Sequence, residues 1–276
     1  MAVLGLVAWH QSRPRPAHAA APGAQVLNLT VEIGPIPGVP NTTRTVSLDA
    51  AGGTKTTWYD VQDGVEHHVR GLTLKQLLGV VRAPRAADAV VFSFADGMQV
   101  PVHLGDPVQV KATFIALEHG DPMGVFDQSY ELRGREPVAC PKVVYGHETK
   151  KYSIWHYPTQ LTGIKLVKWS AFESVLAQPT RRHPDRSGWP LYLRHCQPCH
   201  GLGGQGAKRG SDFLSNMDAY RRVPALAVTD RSQHPSLHEK VKGFTPGTMP
   251  VLNHVSNDEI ATLWRWLHAI HDGATR

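Results

Sequence analysis

Cys196-Gln197-Pro198-Cys199-His200 is the stretch on which the reading of this chain turns. A Cys-x-x-Cys-His run is the attachment signature of a c-type haem: two thiols add across the vinyl groups of the porphyrin, and the imidazole takes one axial position on the iron. On a helical turn Cys196, Cys199 and His200 stand at i, i+3 and i+4 and so face one side. Upstream, Gly188 and Pro190 open such a helix, since proline is tolerated in a first turn, and Leu191 with Tyr192 begins its apolar side. The competing readings are a zinc half-site and a redox dithiol. With three cysteines in the whole chain there is no second pair to complete a four-thiolate zinc site. His234, His238 and His254 do not form a familiar ligand set with the motif.

Beyond His200 come Gly201, Gly203, Gly204 and Gly206, a flexible loop that lets backbone pass close to a porphyrin. Pro224-Ala225-Leu226 and Gly247-Thr248-Met249-Pro250 come next, and then a well-signalled terminal helix. Ser256 and Glu259 make a capping box at its start, and Ile260, Leu263, Trp264, Leu267 and Ile270 form its apolar stripe. In this order residues 187–276 resemble class I cytochrome c. The resemblance implies an all-α domain with one covalent haem c, attached through Cys196 and Cys199. It also implies His200 and Met249 as the axial iron ligands, with His254 the rival for the sixth position. A core methionine is the alternative for Met249. A His/Met pair gives a higher reduction potential than a bis-His pair.

Length and charge bound what surrounds this segment. At 276 residues the chain exceeds one small domain, so two cores are expected. Lys and Arg outnumber Asp and Glu by 29 to 23, a formal charge of +6. That modest excess suits an acidic protein partner and not nucleic acid, which would call for a dense basic stripe. No stretch approaches the length of a membrane span. Residues 1–19 read as an export signal, with an apolar run at 2–9 and a small-x-small site at Ala17-His18-Ala19, though no Lys or Arg precedes the run. Together with haem attachment, which in bacteria takes place outside the cytoplasmic membrane, this predicts a periplasmic protein.

Residues 26–175 read as a separate, mostly β unit. Leu27, Leu29, Val31 and Ile33 alternate with polar residues in the period of a half-buried strand. Further strands are expected at 44–48, 89–94, 98–104, 112–117, 142–145 and 164–169, with Asp96-Gly97 as a hairpin turn. Leu74, Leu77, Leu78 and Val81 recur at helical spacing behind Thr73 as a cap. Residues 178–188, rich in Pro, Arg, His and Asp, read as a linker.

The order Gly71-Leu72-Thr73-Leu74-Lys75-Gln76-Leu77-Leu78, Val90-Val91-Phe92-Ser93-Phe94-Ala95-Asp96-Gly97-Met98, Lys151-Tyr152-Ser153-Ile154-Trp155 and Leu161-Thr162-Gly163-Ile164 resembles the molybdopterin-binding domain of the sulfite oxidase family. The resemblance implies an α+β, mostly β fold, but the chain departs from the family at its key ligand. The molybdenum-binding cysteine precedes the Gly-x-x-Leu helix in that family, and residues 56–70 contain no cysteine. Molybdopterin is therefore not expected, and the unit reads as a cofactor-free scaffold. Cys140, which lies after that helix, reads as a small buried side chain. His67, His68, His103, His119, His147 and His156 show no recognised ligand spacing, and Trp58, Trp155 and Trp169 read as packing.

The function expected is that of a periplasmic carrier of single electrons through one haem. Its β unit would dock an oxidoreductase, and its redox partners would present acidic surfaces. The alternative is a molybdenum-dependent oxidoreductase, sulfite-dehydrogenase-like, fused to its own cytochrome acceptor.

Overall fold

Leucine, valine and isoleucine at every second position of β1 (Leu27–Ile33) turn inward, while Asn28, Thr30 and Glu32 stay exposed, as the alternation requires. The computed structural model describes residues 27–49, 53–60, 65–120, 126–127, 129–130, 138–145, 160–177, 185–215 and 255–274. β1 is paired antiparallel along its whole length with β2 (Thr42–Leu48) and parallel with β12 (Leu161–Val167). β5 (Ala89–Phe94) and β6 (Gln99–His103) extend this sheet to the order β2-β1-β12-β5-β6. β2 is weak in sequence because it is an edge strand, with only Leu48 fully buried. The Asp96-Gly97 turn joins β5 to β6: Phe94 N donates to Met98 O at 3.0 Å, Met98 N donates to Asp96 Oδ1 at 3.1 Å, and Gly97 takes a φ of +85°.

A second sheet, ordered β11-β7-β4-β3, is built from β3 (Thr54–Asp60), β4 (Val65–Thr73), β7 (Thr113–Gly120) and β11 (Lys142–Tyr145). β8 (Phe126–Asp127) pairs with β7, and β9 (Ser129–Tyr130) pairs with β10 (Val138–Ala139). α1 (Leu74–Val80) starts from a complete capping box, in which Gln76 N donates to Thr73 Oγ1 and Thr73 N donates to Gln76 Oε1. Its Leu74 and Leu77 enter the core.

Two helices correct the strand expectations. Residue 112 ends α2 (Pro107–Ala112) and does not begin a strand, because Asp106 Oδ1 accepts from Val108 N and Gln109 N and Pro107 occupies the first turn. The strand expected at 164–169 runs instead from Leu161 to Val167, and Trp169 opens α3 (Trp169–Leu176).

The C-terminal stretch corrects the fold class. The described chain is mostly β, 40% strand against 29% helix, and an all-α domain of class I cytochrome c type is not indicated. Residues 185–215 hold only a short α4 (Trp189–Leu191) that widens into a π-helical segment, Tyr192–Cys196, followed by a β-hairpin of β13 (Gly201–Leu202) and β14 (Gln205–Gly206). The physical reason lies in the glycines. Gly203 and Gly204 both take positive φ, +61° and +81°, which is what a two-residue hairpin turn needs, so the run read as a flexible loop folds as a tight turn. α5 (Asn257–Ala274) carries the predicted capping box, with Ser256 N donating to Glu259 Oε2 at 2.8 Å and Glu259 N to Ser256 Oγ at 3.2 Å. Its predicted stripe is buried, and Trp266 is buried with it.

One contiguous apolar cluster runs from β1, α1, β5 and β12 to Tyr192, Cys196, Cys199, Phe213 and the inner face of α5. Gly188 lies so close to Trp266 that a Cβ would collide with the indole, which fixes the approach of α4 to α5. A smaller cluster of Trp58, Val69, Phe114, Ala116 and Val144 packs on the second sheet, so Trp58 is a core residue. Among the described residues no helix is long and apolar enough to cross a membrane. Residues 1–26 and 178–184 lie outside the described residues, so the export signal and most of the expected linker do too.

Candidate haem-attachment site

The signature residues sit on a single turn built around one carbonyl. Cys196 O accepts from Cys199 N at 3.0 Å and from His200 N at 2.8 Å, which keeps the i, i+3 and i, i+4 relations even though Pro198 stands within the turn. The turn leaves the π-helical segment through Gln197 N, which donates to Tyr192 O at 2.8 Å. Such i→i+5 closures widen a helix and are frequent at functional sites. Tyr192, fully buried, donates its hydroxyl to His200 O at 2.9 Å and ties the two ends of the motif together. Burial lifts the Tyr192 hydroxyl far above its ordinary pKa, so it stays a donor.

Cys196 and Cys199 are 3% and 6% exposed. Burial, reinforced by the neighbouring thiol, pushes the Cys196 thiol up to about 12. Burial likewise pushes Cys199 up to about 11, with the adjacent Arg209 guanidinium pulling the other way. Both are therefore neutral thiols at ordinary pH. A redox dithiol works with a depressed thiol pKa, and burial here acts in the opposite direction. Among the described residues no three His, Cys, Asp or Glu side chains are grouped to hold a metal ion.

His200 is held by the chain between residues 210 and 213. Its Nδ1 lies 2.8 Å from Ser211 O, and its ring stacks on Phe213 with centroids 4.6 Å apart and planes at 18°. Gly210 N donates to Cys199 O at 2.7 Å, bringing that backbone against the imidazole edge, where a Cβ would lie 2.8 Å from Nε2 and closer still to Cε1. Glycine keeps that edge of the ring clear of side chains. Asp212 binds the amides of Gly203 and Gly204 at 3.1 and 2.8 Å and so fixes the β13–β14 turn beside the site.

The N-terminal sheet reaches the same place. Gln99 N, at the start of β6, donates to Pro198 O inside the motif at 2.9 Å, and Lys208 N donates to Gly97 O at 2.9 Å. Arg209 Nη1 stands 3.0 Å from Asp96 Oδ2 and 2.9 Å from Met98 Sδ, and its positive charge acts to lower the Cys199 pKa. A cleft of about 540 Å³ opens alongside, between the first sheet, α3 and β14, but Cys196, Cys199 and His200 do not line it.

The donor types fit a c-type haem: two neighbouring thiols held neutral by burial, and an imidazole whose Nδ1 lies against a backbone carbonyl. Met249, the rival His254 and the 224–226 loop lie outside the described residues, so the structure brings together Cys196, Cys199 and His200 only. Cys140 is buried in the main core, as a lone small thiol is expected to be. His147, His156 and Trp155 lie outside the described residues. Ser211, Gly210, Phe213 and Arg209 carry no signal in sequence, because contacts made by a backbone carbonyl, a bare Cα or a distant hairpin have no spacing rule. No protein-family model matches the chain, and no curated protein matches it.

Proposed function

We propose that this chain is a carrier of single electrons that holds one c-type haem through thioether bonds from Cys196 and Cys199, with His200 as an axial iron ligand. The observation that carries the reading is the 2.8 Å contact between His200 Nδ1 and Ser211 O. A carbonyl only accepts, so Nδ1 is the donor in this contact. That is the arrangement by which ligating histidines have their tautomer fixed. Bound at this site, haem would supply a one-electron ferric/ferrous couple.

Each residue then has a defined task. Cys196 and Cys199 would hold the haem through thioether bonds, the S–H of each thiol adding across one vinyl group with no external oxidant. Ser211 holds the His200 tautomer, Phe213 holds the ring plane, and Tyr192 anchors the turn through the His200 carbonyl. Met249 is the sixth ligand in this reading, and its thioether favours the ferrous state.

The β unit serves as a docking scaffold for an oxidoreductase. The absence of cysteine at residues 56–70 supports assigning it no molybdenum chemistry of its own. A net charge of +6 favours periplasmic redox partners with acidic docking surfaces. The test is expression of the full chain in a host that attaches c-type haem and accumulates molybdopterin, with haem and molybdenum measured per chain. One haem and no molybdenum is the expected result; about one molybdenum per chain would overturn the carrier reading. Met249→Ala should abolish the red sulfur-to-iron charge-transfer band of the ferric protein, and persistence of that band would remove Met249 from the ligand set.

A further inference from the structure

The Asp96–Arg209 ion pair joins the turn of the first sheet to the attachment cysteine, across a long gap in sequence. We infer that this pair sets the reduction potential of the iron from the β5–β6 hairpin, with Arg209 as the cationic and positioning residue and Asp96 as its counter-charge. The inference rests on the haem reading above. Its basis is the placement of the two charges. Arg209 Nη1 lies 3.0 Å from Asp96 Oδ2 and 2.9 Å from the thioether of Met98, and the backbone next to it meets the attachment turn, Gly210 N donating to Cys199 O at 2.7 Å. The side chains of Arg209 and Asp96 are only 28% and 25% exposed, so water and salt screen them incompletely.

The hairpin is locked in place independently of the ion pair. Gly97 O accepts from Lys208 N, Gln99 N donates to Pro198 O, and a Cβ at Gly97 would press on the backbone of residues 208 and 209. Asp96 also holds its own turn through Oδ1, which accepts from Met98 N, while Oδ2 faces Arg209. The two oxygens of one carboxylate therefore do separate jobs, and an asparagine can keep the first while losing the charge of the second.

A cation beside the attachment turn would disfavour the additional positive charge of ferric iron and so raise the potential; a carboxylate beside that cation offsets it. The two charges act with opposite sign, whereas loss of packing would act in one direction for both. Arg209→Gln and Asp96→Asn each break the same ion pair, and this separates the two explanations.

The experiment uses the full-length holoprotein and measures haem per chain, the visible spectrum and the midpoint potential of the wild type, R209Q, D96N and R209Q/D96N. The expected result is a lower potential in R209Q, a higher one in D96N and an intermediate one in the double variant, with haem content and spectrum unchanged. Shifts in the same direction, or no shift in either variant, would overturn the inference while leaving the haem reading intact. If R209Q fails to accumulate, D96N decides alone: a rise supports the assignment, and a fall or no change ends it. A wild-type chain without covalent haem would overturn the haem reading and this inference together.

Discussion

At residue 210 the backbone passes so close to the imidazole of His200 that any side chain would displace it, since a Cβ would sit 2.5 Å from Nδ1 and closer still to Cε1. Gly210→Ala should therefore push the ring off Phe213 and loosen the bond from Nδ1 to Ser211, at a cost of about 1–3 kcal/mol. Denaturant unfolding of the variant beside the wild type checks the magnitude, and an unchanged midpoint would show that the loop yields freely. The thiols make a second prediction at this scale. In haem-free protein Cys199 is lifted from 9.0 to about 11, so its thiolate fraction at pH 8 falls roughly 100-fold, and native alkylation should be slower than in urea by that order. The raised pKa stabilises the fold fully below pH 9, and that contribution is lost as pH rises through about 11, where thioether-bonded protein has nothing to lose. The spacing of Cys196, Cys199 and His200 is legible in sequence, and the turn keeps its i, i+3 and i, i+4 relations. Ser211 is not, because any residue offers the carbonyl that it contributes.

Elements with a local chemical signal are legible in the sequence, and those governed by tertiary pairing are less so. The capping boxes of α1 and α5 each join a hydroxyl to a side chain three residues on, a signal that needs no partner elsewhere. Ser256→Ala should cost about 1 kcal/mol, measurable as a lowered thermal midpoint with little change in the rest of the molecule. β3 and β4 give no such signal, because they carry Lys55, His67, His68 and Arg70 rather than an apolar alternation, and they are held by full antiparallel pairing. In their sheet, burial, then Lys142, His67 and His68, push His119 on β7 down to about 3. A depressed pKa stabilises the fold above pH 6.5 and is lost as pH falls towards 3, so His119→Asn should flatten the acid limb of the stability profile between those values. An unchanged acid limb would mean that His119 relaxes to water before the sheet opens. α2 does have a signal in Asp106-Pro107, a capping residue followed by proline, but the apolar run after it competes as a strand.

Across the whole molecule, the sequence suggests two cores joined by a linker, and the described residues place the first sheet, α1, the signature turn and α5 in one apolar cluster. The β5–β6 hairpin bonds directly to Pro198 within the motif, a contact between residues 99 and 198 that no local pattern announces. The Cys-x-x-Cys-His run is thus legible, while the β-hairpin and π-helical setting found in place of an all-α domain depends on glycine conformations and long-range contacts. With a net charge of +6, electron transfer with an acidic redox partner should slow as ionic strength rises, and stopped-flow rates at low and physiological salt test this. The central claim, that Cys196 and Cys199 carry a covalent haem, meets its most direct test in the intact mass of the denatured full-length protein from a haem-attaching host. The expected mass is the polypeptide plus one haem, falling to bare polypeptide in Cys196→Ala/Cys199→Ala. A wild-type mass of polypeptide alone, with pigment released on denaturation, would contradict it.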